Sequence, residues 1–158
     1  MAENKKEIQK KEYIRKKLLE KFEEVFGSTE GAKVYFAPGR VNLIGEHTDY
    51  NGGHVFPAAL TLGTYGVARK RKDRKLRFYT MNYNRVDIVE SSLDDLIPLR
   101  KEGWTAYPKG VMWSFAKKGM EMDCGMELLL NVILAPMVFA FLSLFSSVLV
   151  DSKEIVHG

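Results

Sequence analysis

Most of the side chains in this sequence that could do chemistry together lie in one stretch, Ala37-Pro38-Gly39-Arg40-Val41-Asn42-Leu43-Ile44-Gly45-Glu46-His47-Thr48-Asp49-Tyr50-Asn51-Gly52-Gly53. An arginine, two carboxylates, a histidine and asparagine fall within a dozen residues, with glycines at both ends. A structural strand would alternate polar and apolar side chains, and an ordinary loop carries fewer kinds of ionisable group. Such clusters sit where a rigid scaffold hands a loop to a ligand. Carboxylates accept from adjacent hydroxyls, which suits a sugar, and the glycines let backbone approach a ligand with no Cβ in the way. On the residues alone, a charged turn between two strands stays open as the other reading.

The elements that must position this stretch follow from periodicity. Glu46, His47 and Asp49 come after the apolar run Val41, Leu43 and Ile44, so they should emerge where a buried strand ends. Upstream, Ile14, Leu18, Leu19, Phe22, Val25 and Phe26 recur at three- and four-residue spacing, which predicts an amphipathic helix over 3–26 with Gly27 as its C-cap. Residues 33–37 predict a short strand stopped by Pro38. Residues 54–60 and 61–69 read as extended segments rich in β-branched and apolar residues. A charged turn at 70–75 separates them from strands at 76–80 and 85–89, and a polar connection starts at Ser91. Apolar residues return at helical spacing from Trp104 to Lys118, with Pro108 in the first turn, where its missing N–H matters least. Residues 122–130 read as a final strand.

The stretch 37–53 resembles, without a gap, the galactokinase signature of the GHMP small-molecule kinases (galacto-, homoserine, mevalonate and phosphomevalonate kinases). Thr48-Asp49-Tyr50-Asn51 points to the sugar branch, since the other branches share only the looser proline-glycine and glycine-glutamate-histidine skeleton. The resemblance implies an α+β fold, the two-layer GHMP-kinase N-terminal lobe with a mixed sheet plus helices, here incomplete. It implies transfer of the ATP γ-phosphoryl group to the anomeric hydroxyl of galactose. Arg40 would then be the catalytic cation beside the sugar C1 oxygen and the γ-phosphate, where a planar, permanent charge stabilises the transferring group. An ion pair with Glu46 or Asp49 is its structural alternative. Arg40, Glu46, His47 and Asp49 match the residues with which the family binds galactose, and charge-assisted acceptors separate epimeric hydroxyls better than shape alone.

Trp104 and Tyr107 match the aromatic pair of a Trp-x-x-Tyr-x-Lys-Gly segment that flanks adenine in the family, and aromatic faces stack well on bases. Without the resemblance both are core residues of a helix. Thr80 falls where relatives carry a serine near the nucleotide. ATP and Mg2+ are implied as cofactors; no residue of this chain is assigned to metal. His54 and His157 match nothing in the family and read as structural or exposed.

The resemblance stops near residue 130. A phosphate loop rich in glycine and serine, at a helix N-terminus, is expected next. The chain instead runs from Met126 to Ile155 without a glycine. This divides the chain into a partial lobe at 1–129 and a divergent apolar tail at 130–158. Leu128 to Val150 is 23 residues without a charge, long enough to cross a bilayer. The favoured reading is instead a change of reading frame near residue 130, because serine codons read one base out of frame give leucine and phenylalanine, and no membrane is expected unless the tail at 128–150 inserts. The expected result is a galactokinase-type chain with little or no turnover of its own. Two other readings stay open: an N-acetylgalactosamine kinase or non-catalytic galactose sensor, and a small membrane-anchored protein.

The whole composition is consistent with a cytoplasmic enzyme lobe. At 158 residues and a formal charge of +4, the chain can bury a core and is not strongly basic. Its lysines and arginines cluster at 5–21 and 69–77, as on a solvated helix face and a hairpin, so no nucleic-acid partner is expected. The single Cys124 excludes an internal disulfide. No apolar segment of a secretory leader follows Met1.

Overall fold

The computed structural model describes residues 2–45, 51–83 and 87–133. Along the chain lie α1 (Ala2–Phe26), β1 (Lys33–Ile44), β2 (Phe56–Lys70), β3 (Lys75–Thr80), β4 (Val89–Ser92), a 3-10 turn (Arg100–Thr105), α2 (Ala106–Ala116) and β5 (Met126–Val132). The strands form one sheet in the order β1-β2-β5-β3-β4. Only β3 and β5 run parallel; the other three pairings are antiparallel.

The last of the described strands therefore occupies the centre of the sheet. That position requires apolar side chains on both faces, and the run Leu128-Leu129-Leu130 supplies them, all three buried. Leu128 and Leu130 join Ala37, Ala68, Leu76, Phe78 and Met112 on one face, the one α2 covers. Leu129 and Val67 join Leu18, Phe22 and Phe26 on the other, under α1. Among the described residues, the sheet thus has one helix on each face. Burying each of these leucine and phenylalanine side chains contributes about 1.5–3 kcal/mol.

Helix α1 follows its sequence pattern, with Leu18 and Phe22 buried at three- to four-residue spacing. Gly27 stops it at φ +83°, a conformation that costs glycine little, and donates its N–H to the Glu23 carbonyl at 2.7 Å. Pro108 lies in the first turn of α2, buried.

Four expected boundaries move. Strand β1 does not stop at Pro38 but runs on to Ile44. It is an edge strand, and its register against β2 shifts between Pro38 and Arg40, where a residue without an N–H is tolerated. The two extended segments at 54–69 are one strand, β2, of 15 residues. Strand β4 covers Val89–Ser92, past the end expected at 89, because Arg77 pairs with Glu90 and Lys75 with Ser92 across the hairpin; residues 85 and 86 of the expected strand lie outside the described residues. Strand β5 starts at Met126, four residues later than expected. Just before it, Gly125 lies so close to β3 that a Cβ there would meet the Lys75 carbonyl oxygen at 2.0 Å.

Candidate functional site

Arg40 lies in the outer half of β1, opposite Ala59 of β2, and is half-buried. What brings it there is the continuation of β1 past Pro38. Opposite Pro38, Gly63 lets the two backbones close up: a Cβ at 63 would stand 2.1 Å from the Ala37 carbonyl oxygen. Strand β1 ends at Ile44, and Gly45 turns the chain at φ +101°. Glu46, His47 and Asp49 lie outside the described residues. The chain is described again from Asn51, with Gly52 at φ +73° and the three residues Asn51 to Gly53 exposed.

Thr80 closes β3 beside Leu130 and is buried. Its hydroxyl donates to Asn82 Oδ1 at 3.2 Å and accepts from the Asn82 backbone N–H at 3.3 Å. The Asn82 amide in turn holds the end of β5, donating to the Val132 carbonyl at 2.6 Å and accepting from the Val132 N–H at 2.8 Å. Thr80 thus already has a structural use. The Thr64 hydroxyl, buried in β2 opposite Ala37 and Val132, has no hydrogen-bond partner among the described residues.

Trp104 is half-buried and meets Phe78 edge-on, with ring centroids 6.3 Å apart at 75°. It packs against the same apolar cluster that contains Ala37, three residues before Arg40. Tyr107 stands 42% exposed on the first turn of α2. Sequence reasoning missed the pair that brackets these aromatics. Lys109, 1% exposed, donates from Nζ to Glu102 Oε1 at 2.7 Å. The other Glu102 oxygen accepts from the Leu99 N–H at 3.1 Å. The Lys109 ammonium, and after it the Leu99 N–H, holds the Glu102 carboxyl below the usual carboxylate range. The available signal was the lysine of the aromatic segment, with a glutamate seven residues before it.

Among the described residues, no group of three or more His, Cys, Asp and Glu converges. Also among them, no helix is long and apolar enough to cross a membrane. The uncharged stretch from Leu128 begins inside β5, at the centre of the sheet; beyond Ile133 it lies outside the described residues.

Comparison with known proteins agrees with this fold. Residues 20–70 match the galactokinase galactose-binding signature. The chain is 52% identical over 117 residues to a galactokinase of Ligilactobacillus salivarius, covering 74% of this chain and 30% of that protein. It is 54% identical over 112 residues to a galactokinase of Enterococcus faecalis, covering 71% and 29%. The crystal structure of Lactococcus lactis galactokinase complexed with galactose matches with a TM-score of 0.82 at 40% identity, over 89% of this chain and 38% of that one. Methanococcus jannaschii mevalonate kinase shares the fold, with a TM-score of 0.58 at 12% identity, over 78% of this chain and 40% of that one. The chain spans about 30% of the length of the galactokinases it matches. Over most of its length it is similar to the N-terminal part of galactokinases.

Proposed function

We propose that this chain binds galactose through the stretch 37–53 and supplies the sugar-binding half of a galactokinase reaction. Glu46, His47 and Asp49 receive the sugar hydroxyls. Arg40 lies against the C1 oxygen, where its charge steadies the phosphoryl group arriving from ATP. In-line phosphoryl transfer depends on positioning and charge neutralisation more than on covalent chemistry, so a fixed guanidinium at that point is the chain's own catalytic contribution. Trp104 and Tyr107 take the adenine ring, with Thr80 nearby. The observation that carries the reading is the unbroken signature within the 20–70 match, with its arginine on a strand of the sheet and its acids directly after the strand end.

The adenine end is the part of the nucleotide these residues fit. Residues 126–155 contain no glycine, so that stretch holds no glycine-rich loop to donate backbone N–H groups to phosphates. The reading therefore includes little or no turnover by the 158-residue chain on its own. It keeps 1–129 as the kinase lobe and 130–158 as a separate divergent segment, and it places the chain in the cytoplasm, where ATP is held.

Calorimetric titration with galactose and with N-acetylgalactosamine tests the binding. Saturable heat with galactose, weaker or absent with the acetamido sugar, is the expected result. Heat with neither sugar would remove the reading. A coupled assay for ADP release tests the second part, and clear galactose-dependent turnover would contradict it.

A further inference from the structure

The buried lysine of α2, Lys109, carries a charge that is costly where it stands. Lysines are almost never fully buried unless paired, and replacing a buried ion pair by apolar side chains is often neutral or stabilising. Lys109 is 1% exposed, so its ammonium is not available to a phosphate in solvent. All its reach goes to Glu102, at 2.7 Å.

The position of the pair is what gives it use. Residues 102 and 109 bracket the segment that carries Trp104 and Tyr107, and the ion pair closes that segment into a loop. Two further hydrogen bonds fix the same turn. The second Glu102 oxygen takes the Leu99 N–H at 3.1 Å, and the Glu102 carbonyl takes the Thr105 hydroxyl at 2.8 Å. Gly103 then reverses the chain at φ +60°, ψ −130°, a conformation suited to glycine. A turn held at this many points presents its ring in one orientation, as a binding platform requires. Trp104 is edge-on to Phe78, and Tyr107 remains 42% exposed.

We propose that the Lys109–Glu102 pair is a positioning device that holds the Trp104–Tyr107 platform for a planar purine base. This rests on the reading of those two aromatics as the adenine contact, and the experiment separates the two claims. In the full chain carrying Trp113→Phe, Trp104 is the only tryptophan. Its emission then reports both the ring's own shielding, through acrylamide quenching, and adenosine binding by titration. Lys109→Met is expected to leave the far-ultraviolet circular dichroism and a cooperative melt intact. It should raise the quenching of Trp104 and weaken the adenosine response roughly tenfold, about the value of one stacking contact. Glu102→Gln keeps an acceptor for Leu99 and removes the charge, and is expected to move both readings in the same direction. If Lys109→Met fails to fold, Glu102→Gln decides alone. A folded variant with both readings unchanged overturns the proposal. If adenosine leaves Trp104 unaffected in the chain with Lys109 in place, the adenine reading falls, and increased quenching in the variants still supports the positioning role.

Discussion

Glu127 of β5 and Arg69 of β2 are direct cross-strand partners, and Arg69 donates from both Nε and Nη2 to the same carboxylate oxygen, Oε2. On the other side of β5, Arg77 of β3 is the parallel-register neighbour of Glu127 and donates to Oε1 at 2.9 Å; its own antiparallel partner is Glu90 of β4. Charges of alternating sign thus run in register across four strands, from Arg69 through Glu127 and Arg77 to Glu90. Arg71 adds a third guanidinium on Glu127 at 2.7 Å. Helix α1 closes over this ladder. Phe22 and Phe26 lie under Arg69 and Arg77 respectively, each 5.4 Å from ring centroid to guanidinium carbon. Arg69 also donates to the Phe26 and Ser28 carbonyls at the helix end, where a cation is favoured.

Glu127→Gln keeps the shape and removes the one buried charge that three arginines share. Breaking a buried pair leaves its partners uncompensated, which typically costs 3–5 kcal/mol. The guanidiniums here are partly exposed, so a loss of about 3 kcal/mol in urea denaturation is expected. An unchanged midpoint would show that the ladder does not hold the sheet together.

Gly63→Ala tests how Arg40 is delivered. The new methyl would stand 2.1 Å from the Ala37 carbonyl oxygen, a backbone atom that cannot swing away. Strands β1 and β2 must then separate just before the residue that carries the guanidinium. The expected cost is about 2 kcal/mol in thermal or urea unfolding, accompanied by weaker galactose binding. Full stability and full binding in the variant would contradict the close approach.

Acid should destabilise the fold in a defined window. Hydrogen bonding from Arg71 holds the Asp73 carboxyl well down, from its ordinary 3.8 to about 2. Arg74 and Ser92 lower Asp94, and Lys109 lowers Glu102. A carboxyl depressed by folding stabilises the native state above its unfolded value, and that stability is lost as pH falls through the folded value. The urea midpoint should therefore hold from pH 7 to about 5 and fall between about 4.5 and 2. Asp73→Asn should flatten the lower part of that fall. An equally steep fall in the variant would assign the loss to other groups.

The sequence made legible what depends on local pattern. Helix α1 could be read from Leu18, Phe22 and Phe26, and the signature stretch, which falls within the 20–70 match, from the density of unlike functional groups at 37–53. What escaped depends on partners far along the chain. Pro38 reads as a stop, yet an edge position and a register shift let β1 continue through it. Glu127 reads as one charge in an apolar strand. Its meaning comes from Arg69, Arg71 and Arg77, which are 58, 56 and 50 residues away. Lys109 stands in the sequence only as the lysine of the aromatic segment, and its burial against Glu102 depends on the fold of the turn.

Hydrogen–deuterium exchange of the chain with and without galactose, with glucose as the epimeric control, tests the central claim most directly. The account predicts slowed exchange with galactose in peptides covering residues 37–56, little change with glucose, and no effect of galactose when Asp49 is replaced by Asn. Protection confined to other parts of the chain, or equal protection by both sugars, would contradict it.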